Sequence, residues 1–506
     1  MAGFESSGRT SSAKIEVCSV THVPSSTTID LRSVTKAINI FNSLDSMVTS
    51  GYIDVFDQGN AIEEFKFNGK EIIDIEIHIG TQGASGAAGG SDFNVYSRRF
   101  IVYAIDNVAA STDQMTYRIR FVDPFSLLNT DNRISWHFKQ TKGEDIIKKI
   151  SSLASSSVNA PYRDAMRGSF SKSKLSSSQD LFSFTSDVST QHDFDMYVPM
   201  MKPFELIRWV ADRVVSSDNP CKWSDCLFYQ TKDGKFHLNS FKNLFGKDPL
   251  VFTQQIAVSA SEEKRHMIES YTFNKIYNIQ QDKLNGIYGL QFAIADFKPT
   301  TKTVTQSTVL GTNIASNDQA AGQKTGDISL HKTITRYFSS LGSVNLSSSE
   351  RCGLIEPFQC AGQVISSVQS TGANGGQAQV SYNTQSGALI FMDACGIIHE
   401  DDKTYNEYER VTLPYVTGCI MKKVLSTYVV NLAMNGAFDV DVGRSFTIKL
   451  NSGAKGVTRQ MSAFVNGVKW LVSDVRHEWR YDTMQVKTYV TGFTPFLNRG
   501  DEATPK

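Results

Sequence analysis

The chain of 506 residues carries 51 Lys and Arg against 51 Asp and Glu, so its formal charge at neutral pH is zero. That balance argues against a dedicated nucleic-acid binder, which has a basic excess, and no apolar run reaches the roughly 18 residues that a membrane-spanning helix needs. The length suits about three domains, and the cysteines Cys18, Cys221, Cys226, Cys352, Cys360, Cys395 and Cys419, odd in number and scattered, predict reduced thiols in a protein assembled in cytoplasm.

Residues 1–13 lack the hydrophobic segment of a signal peptide and are expected to form a flexible tail. Lys14 to Thr21 alternates as a strand, and Lys36 to Phe41 as a second, with Ile38 and Ile40 on one face. The stretch Tyr52 to Ile79 then gives the strongest pattern in the chain. Ile73, Ile75, Ile77 and Ile79 alternate with Asp74, Glu76 and His78, which predicts a strand with an apolar and a wet face. With Ile53 and Val55 ahead of it and the turn pair Asn68-Gly69 between, the stretch reads as a half-buried hairpin. A small-residue loop over 80–91 follows, then β-rich runs Phe100 to Ile105 and Tyr117 to Val122. Strands at this spacing, joined by turn signals, predict a small barrel or sandwich over 14–124.

The period then changes. Gly143 to Leu153 places acids in its first turn and lysines later, as a helix dipole favours. The serine-rich run Ser151 to Thr190 reads as loop. Pro203 to Val215 predicts an amphipathic helix with Phe204, Ile207, Val210, Ala211 and Val214 on one stripe. Cys226 to Tyr229 and Lys235 to Leu238 form a hairpin about Asp233-Gly234, so 125–260 reads as an α/β domain. Strands return at Ser270 to Ile279 and Gly286 to Ala293. Polar segments at 300–326 and 368–387 bracket an insertion over 301–417 with flexible linkers. Ile420 to Val430 reads as helix, and Phe446 to Leu450, Phe464 to Val475 and Met484 to Val490 as strands, ahead of a tail over 499–506.

The candidates for chemistry fall short one by one. Gly83 to Ala87 misses the G-x-S-x-G elbow at its last residue, and no helix follows it, as phosphate-binding glycine loops also require. Cys221 and Cys226 have only His237 nearby, short of a zinc ligand set. The run His399, Glu400, Asp401 and Asp402 lacks the shaped glycine turn of a cation loop. His477 alternates with Val475 and Trp479 as a packed strand histidine. Asp439 and Asp441 share a strand face without the partner that glycoside cleavage needs. The expectation is no catalytic, cofactor or metal site, and no enzyme.

Three blocks of sequence carry a resemblance. They are YIDVFD with NGKEIIDIEI, then GEDIIKKI with PFELIRWVADRVV about fifty residues on, then Gly436 to Gly443 running through FTIKL and FVNGVKWLVSDVRHEW to MQVKTYV. In type and order they resemble the central baseplate hub protein of contractile-tailed, T-even-like bacteriophages. The region 301–417 is longer than that family's pattern. The resemblance implies an α+β, mostly β chain. It would hold two tube-type antiparallel β-barrels, 14–124 and a discontinuous 261–300 with 418–498, and an α/β domain between them. It further implies a homotrimer in the virion tail, contacting the tail tube protein, the central spike protein and baseplate wedge or sheath components. Such a trimer would join the sixfold tube to the threefold spike and form part of a channel that DNA passes without sequence-specific binding. A carbohydrate- or receptor-binding β protein fits the composition, with its 31 Phe and 18 Tyr, but not the helical middle. A tail-associated hydrolase would need a cleft carboxylate that is not found.

Overall fold

The computed structural model describes residues 13–58, 65, 67–79, 95–111, 114–156, 183–254, 266–275, 289–294, 304–309, 337–338, 366–371, 377–381, 413–450, 462, 465–495 and 497. The first part of the chain forms strands β1 (Ala13–His22), β2 (Thr27–Asp30), β3 (Thr35–Ser43), β4 (Ser50–Asp57), β5 (Glu71–Ile79), β6 (Val95–Ala110) and β7 (Met115–Val122). They lie side by side in the order β2-β1-β5-β6-β7-β4-β3, all antiparallel. The alternation read from the sequence sets their inner face. Ile38, Ile53, Ile73, Ile75, Ile77, Phe100, Ile119 and Phe121 fill one apolar core, each fully buried isoleucine contributing roughly 1.5–3 kcal/mol.

Two expectations for this part need correction. Tyr52 to Ile79 is not a hairpin, because β4 and β5 are separated in the sheet by β7 and β6. The turn at Asn68-Gly69 instead launches β5 alone, with Gly69 at φ +85 and the Glu71 carboxylate accepting from both turn amides at 2.8 Å. Nor is the second face of β5 wet, since Asp74 and Glu76 are 6% and 5% exposed. They tolerate this because each has a partner: Arg99 Nε donates to Asp74 at 2.6 Å, and His78 Nε2 lies 2.6 Å from Glu76.

The middle of the chain is α1 (Phe125–Asp131), β8 (Ile134–Lys142), α2 (Gly143–Ser156), β9 (Phe184–Ser186), β10 (Asp193–Met201), α3 (Pro203–Ala211), β11 (Cys226–Gln230), β12 (Phe236–Ser240) and α4 (Phe241–Gly246). Ile146, Ile147 and Ile150 of α2 pack with Leu206, Ile207 and Val210 of α3 over Phe228, Phe236 and Leu238, so the two helical stripes and the β11–β12 hairpin share one core.

Beyond it come β13 (Leu250–Gln254), β14 (Met267–Lys275), the separate ribbons β15 (Gly289–Ile294) with β16 (Val304–Val309) and β17 (Ser366–Thr371) with β18 (Gln377–Ser381), and helix α5 (Leu413–Leu425). The chain ends with β19 (Tyr428–Asn435), β20 (Ser445–Lys449), β21 (Lys469–Arg480) and β22 (Gln485–Thr494). The helix expected over Ile420 to Val430 stops at Leu425. From Tyr428 the residues Tyr428, Val430, Leu432 and Met434 alternate into an apolar core, and that period of two wins over helix. Of the bracketing linkers, only the β16 and β17–β18 backbones lie within the described residues. Tyr337 and Phe338, from between them, are buried against Trp223 and Phe245 at ring distances of 4.7 Å and 5.4 Å.

Strands β21-β20-β13-β14-β19-β22 close on themselves through the β21–β22 ladder, making one six-stranded barrel. Its core holds Phe252, Phe446, Ile448, Trp470 and Val472. The first sheet does not close in this way. Its ends meet at Cys18 and Thr35, whose Sγ and Oγ1 lie 3.6 Å apart, with Leu31 N–H donating to the Cys18 carbonyl at 2.7 Å but no ladder between β1 and β3. The fold is thus mixed and mostly β, with one closed barrel continuous with an open, curled sheet.

The two parts repeat one plan. In chain order β1, β3, β4, β5, β6, β7 correspond to β13, β14, β19, β20, β21, β22, and the sheet order β3-β4-β7-β6-β5-β1 matches β14-β19-β22-β21-β20-β13. Two bulges fall in the same frame. Against β7, strand β6 skips between Val102 and Ala104, and against β22, β21 skips between Val472 and Asp474. Against β4, β3 skips between Thr35 and Ala37, and against β19, β14 skips between Ile268 and Ser270. Counting along β4 and β19 from the first bulge reaches the second in the same number of residues in both. The parts differ where β13 runs parallel to β20 while β1 runs antiparallel to β5.

Candidate functional site

The parts join through β3 and β21, paired antiparallel over seven residues from Asp474 opposite Ser43 to Arg480 opposite Ala37. Strand β21 is the branch point, since its first residues pair with β20 and its later ones with β3, while β22 lies along its other edge. Side chains alternate across this seam. Ile38, Ile40, His477 and Trp479 point inward, and Asn39, Phe41, Arg476 and Glu478 lie on the opposite face.

That opposite face carries paired polar residues on the first sheet, at the seam and on the barrel, interrupted on β5 and β6 by the buried pair Ile72 and Ile101. On it Arg118 pairs with Asp54 at 2.7 Å, its guanidinium 3.8 Å from the Tyr52 ring. Arg99 pairs with Asp74, Arg120 with Asp106, and Lys487 with Glu269 at 3.0 Å. At the seam Arg476 donates to Asn39 Oδ1 at 2.9 Å, pairs with Glu478 at 3.2 Å, and lies between the Phe41 and Tyr489 rings at 5.7 Å and 5.0 Å. These cations are matched by acids, so the face is polar without a basic excess. Asp74 shows the cost of covering part of it, because burial raises its carboxyl despite Arg99. Where the sheet forks, Phe41, Asn42, Tyr271, Asn431, Arg476 and Tyr489 line a groove of about 460 Å³.

Behind the seam the three parts meet in a buried polar network. Arg98 pairs with Asp123 and donates to Thr49 Oγ1 at 2.7 Å. Gln230, at the end of β11, accepts from Thr49 N–H and donates to Asp123 Oδ2, both at 2.8 Å. Its carbonyl accepts from Asn42 Nδ2 at 2.9 Å, and Asn42 also reaches Asp441 Oδ1 at 3.2 Å. Asp441 accepts from the amides of Lys232 and Val442 at 2.7 Å and 2.8 Å. Burial outweighs these donors and lifts its carboxyl to about 6. Sequence periodicity could not find this network, since its members sit at strand ends and loops up to 399 positions apart.

The residues weighed for chemistry are dispersed. Asp439 and Asp441 lie in the loop between β19 and β20, not on a strand face, and Asp439 holds His266 Nε2 at 2.8 Å. Successive acids there turn to different partners because the loop lacks a strand's alternation. His477 is buried in β21, its Nδ1 3.1 Å from Thr488 Oγ1, and burial pushes it down to about 3. Cys226 is buried and Cys221 half-buried, neither in a disulfide, and burial raises the Cys226 thiol well above its ordinary value. His237 instead pairs with Asp187 at 3.6 Å. Gly83 to Ala87 and His399 to Asp402 lie outside the described residues. Among the described residues no group of three or more His, Cys, Asp or Glu is placed to hold a metal ion, and no helix is long and apolar enough to cross a membrane.

No protein-family model matches the sequence, and neither does any curated protein. Among solved structures, the chain is similar to the 43 kDa tail protein of prophage MuSo2 from Shewanella oneidensis at 8% identity and a TM-score of 0.46, over 96% of this chain and 99% of that one. It is similar to a tail protein from Neisseria meningitidis at 7% identity and a TM-score of 0.46, over 95% and 96% of the two chains. A Francisella PdpA–VgrG complex chain gives 9% identity and a TM-score of 0.43, over 97% of this chain and 59% of that one. At these TM-scores the likenesses establish neither a common fold nor a common function.

Proposed function

We propose that the chain is a structural, non-enzymatic component of a phage-type tail baseplate. Three copies form a hub whose six related sheets surround a channel, between a sixfold tail tube and a threefold central spike. The observation that supports this most directly is the repeated strand plan with its two coincident bulges. A chain holding two units of one plan lets a threefold assembly present near-sixfold symmetry, as a joint between the two must. The number three comes from the sequence resemblance to hub proteins.

On this reading the polar face across the seam lines the channel. DNA carries dense negative charge, and a basic lining would bind it through counterion release. Paired residues such as Arg118 with Asp54 and Arg476 with Glu478 keep the face hydrated without net attraction. The first sheet, curled but unclosed, acts as the counterpart of the closed barrel. The insertion over 301–417 lies outside the ring, towards wedge or sheath components, where it leaves the passage clear.

The test is native mass spectrometry and electron cryo-microscopy of the full chain. The expected result is a closed trimer with near-sixfold internal symmetry and an open axial channel. A stable monomer at micromolar concentration, or a lumen filled by the 301–417 region, overturns the reading.

A further inference from the structure

Resting on that reading, we infer that copies of this chain join edge to edge, strand β6 of one pairing antiparallel with strand β14 of the next. The register reproduces that of the β3–β21 seam inside the chain. Under the repeated plan β3 corresponds to β14, and β21 to β6. The seam between the two parts therefore has a counterpart whose two halves lie at opposite ends of the same molecule.

Both halves are open. Strand β5 covers β6 only from Val95 to Ile101, so the edge from Tyr103 to Ala110 has no second strand among the described residues. Strand β13 covers β14 only at Met267 and Ile268, leaving the edge from Glu269 to Lys275 open in the same way. Strand β21 shows the matching division, with β20 along its first residues and β3 along its last. Where β3 lies on β21, no strand among the described residues lies on β6. An open strand edge presents unpaired amides and carbonyls and invites pairing. On β6 it also displays Tyr103 and Val108, each 55% exposed.

The coincident bulges fix the register. Asp106 and Arg476 hold equivalent places, as each stands two pairs beyond its bulge, opposite Arg118 and Tyr489. Lys275, opposite Val429, corresponds to Phe41, opposite Ser50, because a second shift of β14 against β19 leaves Asn274 without a counterpart in β3. Arg476 faces Phe41 across the inner seam, so Asp106 faces Lys275 across the outer one. Strand β6 holds one extra residue beyond this point, where Asn107 has φ +52 and the register against β7 shifts. Past that bulge Ala109 faces Thr272. The occupant of each edge is thus a second copy of this chain. Because every copy offers one edge of each kind, the contact is head-to-tail and closes only when the rotation allows. With two units per chain and alike seams within and between chains, closure comes at three.

The experiment places Ala109→Cys and Thr272→Cys in the same full-length chain and bridges them with a short bismaleimide. Both positions are exposed, so folding should match wild type. Asp106→Cys with Lys275→Cys is a second, independent pair. Light scattering reports assembly, and a denaturing gel reports bridging, with wild type treated alike to account for native thiols. The expected result is a ladder of dimer and trimer that ends at three chains. Ala109→Cys with Glu269→Cys, three residues out of register and so about 10 Å away, should give no ladder. Trimers by light scattering without bridging in either pair overturn the edge pairing and leave the hub reading standing. A chain that stays monomeric by scattering overturns both. A ladder running past three overturns closure.

Discussion

Replacing Gln230 by leucine tests whether the three parts of the chain are held as one body. The side chain is fully buried and similar in size to leucine, so packing changes little. What is lost is specific. Thr49 N–H, also buried, loses its acceptor at 2.8 Å, and Asp123 loses one donor at 2.8 Å while keeping Arg98 and the Phe125 amide. An orphaned buried donor costs about 1–3 kcal/mol, and a hydrogen bond to a charged group contributes about 1.5–3 kcal/mol, so the variant should lose roughly 3–5 kcal/mol. Urea unfolding followed by tryptophan fluorescence measures the total, and hydrogen exchange across residues 44–57 localises it. Exchange should rise at Thr49 first, because that amide is the group left unpaired. Gln230→Glu keeps the acceptor but sets a second carboxylate beside Asp123. Its folded pKa should therefore rise, so that stability lost at pH 7 returns on acidification. A midpoint within about 0.5 kcal/mol of wild type for Gln230→Leu, with exchange at Thr49 unchanged, would falsify the account of this junction.

Two further outcomes follow from local geometry. Gly51→Ala should be severely destabilising, since a Cβ there would sit 2.3 Å from the Asn39 carbonyl and 2.4 Å from Phe121 Cζ. Phe121→Leu in the same chain should restore only part of the melting temperature, because the carbonyl clash persists, and full recovery would mean the backbone contact is not limiting. His477, pushed down to about 3 by burial, stays neutral in the fold while the unfolded chain takes up a proton below about pH 6.5. Its contribution is whole above pH 6.5 and is lost towards pH 3. His477→Gln should therefore gain on wild type by up to about 1.4 kcal/mol per pH unit between pH 6.5 and 4. Parallel stability curves for the two proteins over that range would refute the assignment.

Much of the strand content was legible because these strands obey a period of two with isoleucine, valine and phenylalanine inside. The four isoleucines of β5 point inward as the alternation predicts. Where the reading failed, tertiary pairing had overruled the local pattern. Asp74 and Glu76 look like a solvated face in one dimension, yet Arg99 and His78 sit beside them in three. The hairpin failed for a similar reason, since neighbours in sequence are not neighbours in this sheet. The polar face was half visible as alternating charges, but its continuity depends on β3 meeting β21 across more than 400 positions, which no window of sequence spans. The groove at the fork was invisible for the same reason.

The repeated plan also accounts for where the chain tolerates its largest excursion. In the first part β3 and β4 are joined by residues 44–49, whereas the equivalent strands β14 and β19 are separated by residues 276–427. Both connections leave the sheet at the same kind of place, the end of a two-stranded unit, where added chain breaks no ladder hydrogen bond and loop-closure entropy grows only slowly with length. In the first part that short connection is committed, because Thr49 and Leu44 are tied to Gln230 and to the Ser473 carbonyl at 2.8 Å each. The long connection is tied to the middle part as well, since Ser224 N–H donates to the Pro414 carbonyl at 2.9 Å and Lys422 Nζ donates to Asp212 Oδ1 at 2.8 Å. Tyr337 and Phe338 also bury their rings beside Trp223 and Phe245. Both units thus hold the α/β part in place, one through a short connection and the other through a long one whose described residues pack against the middle part without entering a ladder of the sheet.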